Sequence, residues 1–270
     1  MPNEKTNSID QFIFVLQANG RYSFPMEEAR KKTGKTDTAV KRELDRLKKK
    51  GSVVAVRKGF YTIVPPEYSQ TGLMPPELFI HPMMQWLNKP YYVGLLSAAS
   101  LHGAAHQQPQ ELFVMTQKPA LRKIEKKGYR IRFFTKNNWS DEGISDLKTD
   151  TGYIKVSSPE LTCLDLVSFY KTVGGLNRVV TVIQELLSEL NPGSLKKLLQ
   201  NEVQTAIIQR LGYILSWCNS PQKLTQVIEN ELKSRKTFWV PLLPGKQKKP
   251  GDRKNAQWKT IENIILETDL

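Results

Sequence analysis

Two histidines have the spacing of a metal-ligand pair. His102 and His106 lie four residues apart in "LHGAAH", which would place both rings on one face of a helix. Gly103 interrupts that helix, Pro109 follows closely, and no acidic residue or cysteine has a clear place as a third ligand. We therefore predict a capping or packing role for the histidines, with no metal site and no cofactor.

Two carboxylates in "SPELTCLDL" lie where the magnesium ligands of nucleases often gather. Glu160 and Asp165 follow a predicted strand and enter a helix. A structural interpretation is favoured: Ser158 caps the helix, Pro159 occupies its first turn, Glu160 offsets its dipole, and Asp165 faces solvent. No nucleotidyltransferase signature, phosphate-binding glycine loop or nucleophile elbow occurs. We predict a protein without catalytic activity, and a metal-dependent nuclease with an N-terminal DNA-targeting domain stays the alternative.

Basic residues are the third candidate set. The formal net charge is +14 and the sequence pI is about 9.6, which favours a polyanionic partner. Residues 1–64 hold 14 Lys or Arg against 7 Asp or Glu, whereas residues 65–270 hold 26 against 19. The charge density is therefore about three times higher in the shorter segment, and a binding surface is expected there.

The elements expected in that segment are three helices and a hairpin. "SIDQ" fits a capping box at Ser8, and "FPMEEARKKTG" predicts a second helix that ends at Gly34. "TDTAVKRELDRLKKKG" predicts a third helix, with Thr36 as N-cap and Val40, Leu44 and Leu47 as its buried stripe. "SVVAV" and "FYTIV" follow as strands around a turn at Gly59. This order predicts a winged helix-turn-helix.

The third helix of such a domain enters the major groove with its N-terminal residues. Hydroxyls and an Arg fork suit base edges, whereas lysines at the far end suit phosphates, and the hairpin tip suits flanking DNA. The DNA-binding candidates are thus Thr36, Thr38, Lys41 and Arg42, then Lys48 and Lys49, then Arg57 and Lys58 on the wing. A solvated basic face, or a winged helix that binds protein instead, is the alternative.

The remainder of the chain predicts a larger mixed domain. "PPEYSQTGLMPP" marks a boundary, which gives domains 1–66 and 67–270. "ELFIHPMMQWL" and "YYVGLLSAASLHG" look helical, whereas "ELFVMT", "YRIRFFT" and "GYIKVSS" look like strands. Helical segments fill residues 158–235. The predicted fold class is α+β: an N-terminal winged helix-turn-helix followed by a larger mixed α/β domain with a helical end.

The second domain carries its own basic patch. It includes Arg122, Lys123, Lys126, Lys127, Arg130 and Arg132. The patch either extends a DNA footprint, binds RNA, meets an acidic protein face, or is a solvated helix before the strand "YRIRFFT". The lysine-rich stretch 246–254 is expected to be an exposed loop and is open to the same alternatives.

Location and redox state follow from what the sequence lacks. No apolar run is long enough for a membrane span, and "MPNEKTNSIDQ" has no secretory layout, so a cytoplasmic protein is predicted. Cys163 and Cys218 form no C-x-x-C pair, and two buried, reduced thiols are expected.

Several stretches in their order resemble the AbiEi family of bacterial antitoxins and transcriptional regulators. They are "TAVKRELDRLKKKGSVVAVRKGFYTIVPPEY", "PYYVGLLSAASLHGAAHQQPQELFVMT", "VSSPELTCLDLVSFY" and "NAQWKTIEN". The resemblance implies an N-terminal winged helix that binds inverted repeats in its own promoter as a monomer or dimer, and a C-terminal antitoxin domain. It also implies a nucleotidyltransferase-like toxin encoded next door, although a solitary regulator would share these stretches.

Overall fold

The computed structural model describes residues 6–104, 109–126, 128–247 and 249–268. The chain contains helices and several sheets, which confirms the predicted mixture of α and β elements. It divides into two compact units that are discontinuous in sequence. The first unit comprises residues 1–92, 110–135 and 146–155, and the second comprises residues 93–109, 136–145 and 156–270.

The first unit begins with three helices and three short strands. They are α1 (Ile9–Ala18), β1 (Ser23–Pro25), α2 (Met26–Thr33), α3 (Asp37–Lys49), β2 (Val53–Arg57) and β3 (Phe60–Ile63). The strands form an antiparallel sheet in the order β1-β3-β2. Their core contains Phe12, Phe24, Val40, Leu44 and Ile63, all buried. The sequence pattern did not predict β1, because a three-residue strand is too short to show alternation.

Local chemistry explains these helix ends. The Ser8 hydroxyl accepts from the Gln11 N–H at 3.1 Å, while the Gln11 side chain accepts from Asn7, one residue before the position of a standard capping box. Gly34 ends α2 in the left-handed conformation with φ of 65°. Thr36 caps α3 by accepting from the Ala39 N–H at 3.3 Å. Pro25 is the N-cap of α2.

Residues beyond the hairpin include two 3-10 turns, Pro66–Tyr68 and Pro76–Leu78, and then α4 (Ile80–Trp86). A six-stranded sheet has the order β6-β7-β5-β4-β9-β8, and most of its residues belong to the first unit. Its strands are β4 (Tyr91–Val93), β5 (Leu112–Thr116), β6 (Ile124–Lys126), β7 (Tyr129–Thr135), β8 (Ile144–Thr149) and β9 (Gly152–Ser157). Strands β5 and β7 are parallel, as are β4 and β9, whereas β6 and β7 are antiparallel.

One expectation about this sheet was wrong, and one of the alternatives for the basic patch is excluded. "YYVGLLSAASLHG" was expected to be helical throughout, but its first three residues form β4 and only Leu95–Leu101 form helix α5. A solvated helix was an alternative for the basic patch, but residues 118–123 form no helix and residues 124–126 form β6. Pairing with β7 decides the second case, since Ile124 lies opposite the buried Ile131.

The second unit is mostly helical, as its sequence pattern predicts. Helices α6 to α10 are Pro159–Ser168, Leu176–Leu186, Pro192–Leu199, Thr205–Trp217 and Gln222–Lys233, with 3-10 turns at Tyr170–Val173 and Leu187–Glu189. A three-stranded sheet of β10 (Val240–Pro241), β11 (Arg253–Asn255) and β12 (Thr260–Glu262) follows, in the order β10-β12-β11. The expected loop 246–254 therefore runs into a strand at Arg253.

Candidate nucleic-acid interface

Helix α3 has one fully buried side and one exposed basic side. Val40 and Leu44 are 0% exposed and Leu47 is 4% exposed, which confirms the predicted stripe. Thr38, Lys41 and Arg42 are exposed on the remaining surface, as is the capping residue Thr36. The narrow stripe leaves most of the helix circumference to solvent.

The exposed cations of the N-terminal half of α3 have no anionic partner among the described residues. Neither Lys41 nor Arg42 is within salt-bridge distance of a carboxylate in that part of the chain. Asp37, at the first position of the helix, pairs instead with Arg30 of α2 at 3.2 Å. Two uncompensated positive charges thus lie beside threonine hydroxyls near a helix N-terminus, a combination suited to phosphate and base-edge contacts.

Glu43 and Arg46, two other charged residues of α3, form ion pairs within the first unit. Glu43 pairs with Lys35 and also accepts from the Ile9 N–H at 3.2 Å, so it ties α3 to α1. The Lys35 hydrogen bond is the main reason that the pKa of Glu43 lies below its usual value. Arg46 pairs with Asp10 at 2.5 Å. These pairs orient α3 without using Lys41 or Arg42.

The predicted phosphate-contacting lysines differ from each other. Lys48 pairs with Asp45 at 2.5 Å, and this hydrogen bond lowers the pKa of Asp45. Lys49 is exposed and forms no salt bridge with the described residues. Of the two, Lys49 is therefore the readier phosphate ligand.

The hairpin tip is held in place by its neighbours in the first unit. Gly59 has φ of 85°, and its carbonyl accepts from the Met26 N–H at 2.9 Å at the start of α2. Phe60 contacts Trp86, with ring centroids 5.4 Å apart. The wing candidates are Arg57, which is half-buried, and Lys58, which is exposed.

The second basic patch is only partly available to a partner. Arg132 lies 5.3 Å from the Phe134 ring centroid and 5.8 Å from that of Phe113, and it pairs with Glu111 at 3.4 Å. Lys123 pairs with Glu125 at 2.8 Å, which lowers the pKa of that carboxylate. These two cations are therefore engaged within the fold.

The other members of the patch are more exposed. Arg130 donates to the Gln110 side chain at 3.3 Å and remains exposed, as do Arg122 and Lys126. Lys127 lies outside the described residues. Lys126 lines a surface cavity of about 510 Å³ together with Lys48 and Lys49. One end of the second patch and the C-terminal end of α3 thus border the same concave surface.

The predicted carboxylate pair on α6 has a structural role. Both Glu160 and Asp165 are 2% exposed, so the expectation that Asp165 faces solvent was wrong. Apolar residues on both sides of α6 bury the whole helix from Glu160 to Val167, which carries Asp165 into the interior. The Lys136 ammonium compensates that charge at 2.9 Å.

The neighbouring Glu160 is also satisfied within the second unit. One of its oxygens accepts from the Ser158 hydroxyl at 2.8 Å and the other from the Asn191 N–H at 2.7 Å. Ser158 caps α6 as predicted. Both carboxylates are thus occupied by protein donors rather than arranged around a cation site.

Histidine and cysteine side chains also have ordinary structural surroundings. His102 follows α5 as its C-cap, and its Nε2 lies 2.7 Å from the Ser157 carbonyl oxygen, in line with the predicted capping and packing role. His106, the other half of the proposed pair, lies outside the described residues. Cys163 and Cys218 are both buried and free, as predicted, and burial raises the pKa of each thiol. Within the described ranges, no three His, Cys, Asp or Glu side chains are grouped to hold a metal ion.

None of the helices in the described ranges is both long and apolar enough to cross a membrane. The chain is thus a mixed α and β protein with a basic surface on its third helix. Residues 92–217 match the family described as the AbiEi antitoxin C-terminal domain. The match covers slightly less than half of the chain, and over this segment it confirms the resemblance to the AbiEi family inferred from the sequence.

Solved structures add a comparison of folds. The crystal structure of the RV2827C protein from Mycobacterium tuberculosis is similar with a TM-score of 0.67 and 14% identity, over 100% of this chain and 95% of that one. At this identity the similarity concerns the fold alone. An antigenic nucleotidyltransferase-like protein from Paracoccidioides brasiliensis gives a TM-score of 0.35 and 13% identity, over 60% of this chain and 90% of that one, a similarity too weak to indicate a shared fold. The comparison with curated proteins gives no match.

Proposed function

We propose that this antitoxin-family protein is a DNA-binding autorepressor that recognises inverted repeats in its own promoter and counteracts a nucleotidyltransferase-like toxin. The observation that carries the DNA-binding part is the exposed N-terminal half of α3, where Lys41 and Arg42 have no acidic partner among the described residues. The family match at residues 92–217 supports the antitoxin part.

In this proposal α2 and α3 form the helix-turn-helix, joined through Gly34, Lys35 and Thr36. Arg42 forms a two-pronged contact with a guanine edge, and Thr38 contacts a neighbouring base. Lys41 contacts a phosphate. The capped start of α3 adds the partial positive charge of its free N–H groups.

The wing and the second basic patch extend the proposed footprint along the DNA backbone. Arg57 and Lys58, at the tip of the β2–β3 hairpin, contact flanking phosphates or the minor groove. Lys126 is included in the footprint because it lines the same cavity as Lys48 and Lys49. A DNA backbone in that cavity would contact all three ammonium groups. Recognition of an inverted repeat then requires two copies of the chain on one operator.

The experiment is binding of promoter DNA measured by electrophoretic mobility shift over a range of salt concentrations. Lys41→Ala combined with Arg42→Ala is expected to abolish specific binding. Lys196→Ala combined with Lys197→Ala is a matched control, because it removes two adjacent exposed lysines from α8. Equal affinity of the α3 variant and the control would refute the groove assignment.

The antitoxin proposal needs a separate measurement. Co-expression with a toxin encoded beside this gene is expected to restore growth, and the α3 variant should retain this rescue because the family match lies in residues 92–217. Failure of the wild-type chain to rescue would leave a solitary regulator as the better description. The nuclease alternative gains no support from α6, since protein donors satisfy Glu160 and Lys136 pairs with Asp165.

A further inference from the structure

Two consecutive large aromatic residues are exposed in the second unit, just before β10. Phe238 is 62% exposed and Trp239 is 41% exposed. A lysine lies over each ring: the Lys236 Nζ is 5.3 Å from the Phe238 centroid, and the Lys254 Nζ is 5.6 Å from the Trp239 centroid. Exposed aromatic rings with adjoining ammonium groups mark a surface that suits a ligand with both flat rings and negative charge.

Buried hydrogen bonds hold the backbone of this segment. The Gln209 side chain, 1% exposed on α9, donates to the carbonyl oxygens of Phe238 and Trp258, each at 2.9 Å. Arg210, the next residue, donates to the Pro241 carbonyl at 3.0 Å. The exposed rings are therefore attached to an anchored backbone rather than to a loose end of the chain.

A second tryptophan shows how the anchor is built. Trp258 is 1% exposed, and its indole N–H donates to the Ser216 hydroxyl at 3.0 Å. Gly212 makes room for it, because a Cβ at this position would lie 2.3 Å from the Trp258 ring. Helix α9 thus buries Trp258 and, through Gln209 and Arg210, also holds the separate backbone segment that carries the exposed Phe238 and Trp239.

The charged groups beside the exposed rings are lysines, of which Lys259 also donates to the Thr237 hydroxyl at 2.7 Å. Among the described residues, Lys236, Lys254 and Lys259 form no salt bridge with a carboxylate. Of the nearby acids, Glu231 pairs with Arg235 at 2.6 Å, and Glu229 accepts from the Gln257 side chain. We call the group formed by Lys236, Phe238, Trp239, Lys254 and Lys259 the aromatic–lysine surface.

We propose that the aromatic–lysine surface binds single-stranded nucleic acid. Unpaired bases stack on Phe238 and Trp239, and the three lysines contact the phosphates between them. A duplex fits less well because its base faces are hidden inside the stack. A protein partner also fits less well, since protein interfaces favour aromatic residues but are depleted of lysine. The surface shares no residue with α3, and this inference does not depend on promoter binding.

The test is fluorescence anisotropy of labelled oligonucleotides of about 12 nucleotides, a length within the usual site size of stacking platforms. Oligo-U and oligo-dT form the two arms, and both are expected to bind because stacking on a ring does not read the 2′-hydroxyl. Phe238→Ala combined with Trp239→Ala is expected to weaken binding by about tenfold or more. Trp239→Phe should retain most of the affinity, because it preserves a stacking face.

Controls separate this surface from α3 and from a folding defect. The aromatic double variant should unfold at the wild-type temperature and bind duplex promoter DNA as the wild type does. The Lys41→Ala and Arg42→Ala double variant should in turn bind oligo-U normally. Lys254→Ala combined with Lys259→Ala should reduce the slope of log affinity against log salt by about 1.4, since each single-strand phosphate contact contributes about 0.7.

Two results would overturn the proposal. One is an absence of oligo-U and oligo-dT binding at low salt by the folded wild-type chain. The other is equal binding by the wild type and the aromatic double variant, which would assign the single-strand affinity to other basic residues. That second result, together with loss of binding to a protein partner by the aromatic double variant, would identify a protein-docking surface instead.

Discussion

Helices α3 and α6 carry the charged residues that the sequence singles out, yet they use charge in opposite ways. On α3, Lys41 and Arg42 are exposed and have no salt-bridge partner in the described part of the chain. On α6, Asp165 is 2% exposed and paired with Lys136. The difference shows that a charge available for a partner is recognised by what surrounds it, rather than by the residue type alone.

The largest expected effect is on stability, from removal of the buried charge on α6. Asp165→Ala leaves the Lys136 ammonium without its carboxylate in a poorly solvated position, since that side chain is only 28% exposed. We expect a loss of about 3 kcal/mol in the free energy of unfolding, measured by chemical denaturation. Asp37→Ala on α3, whose salt bridge is about half exposed on both sides, should cost less than about 1 kcal/mol.

A double variant tests whether the ion pair is the cause. Lys136→Met in the Asp165→Ala background should recover part of the loss, because it removes the charge that Asp165 compensates in the wild type. Equal losses in the single and double variants would mean that Asp165 contributes through other contacts, and a loss as small as that of Asp37→Ala would remove the contrast between the helices.

The second effect is on DNA affinity, from removal of the unpaired charges on α3. Lys41→Ala combined with Arg42→Ala should weaken promoter binding by at least about 100-fold, which is about 2.7 kcal/mol, because a base contact and a phosphate contact are both lost. The melting temperature should change little, since both side chains are exposed. A large stability loss in this variant would mean that the charges of α3, like those of α6, stabilise the fold.

The sequence predicts which side chains are buried in α3 but not in α6. The stripe of Val40, Leu44 and Leu47 is readable from spacing because one side of α3 meets solvent. In α6 nearly every side chain is buried, so no polar face reveals the direction of Asp165. Its partner Lys136 lies 29 positions away in the chain, and only tertiary structure brings the two together.

The strands, too, were predictable only where their sequence shows a clear apolar pattern. "ELFVMT" and "YRIRFFT" are apolar enough to be predicted as β5 and β7. Short strands such as β6, and the exposed β8, give no such signal because their side chains are mostly polar or solvent-facing. The anchoring of Phe238 through Gln209 was equally invisible, since a buried glutamine on a helix has no sequence signature.

A smaller effect distinguishes the two ends of α3. Lys49→Ala should reduce DNA affinity by several-fold for all sequences alike and lower the salt slope by about 0.9, as expected for one phosphate contact. Lys48→Ala should do less, because Lys48 already pairs with Asp45. The measurement is a mobility-shift titration with operator and unrelated duplexes, and a change in sequence preference on Lys49→Ala would contradict the division between base reading and phosphate contact.

The smallest effect concerns Glu43, the residue of α3 that most resembles the carboxylates of α6. Its hydrogen bond from Lys35 lowers its folded-state pKa, so the unfolded chain takes up a proton first as the pH falls. The stabilisation is complete above the unfolded pKa near 4.5 and is lost as the pH falls through the folded pKa. Glu43→Gln should therefore destabilise the chain by less than about 1 kcal/mol at pH 7, because the pair is partly exposed. The difference from wild type should shrink in denaturation measurements as the pH falls through the folded pKa, and a difference that does not shrink would mean that Glu43 acts through packing rather than through charge.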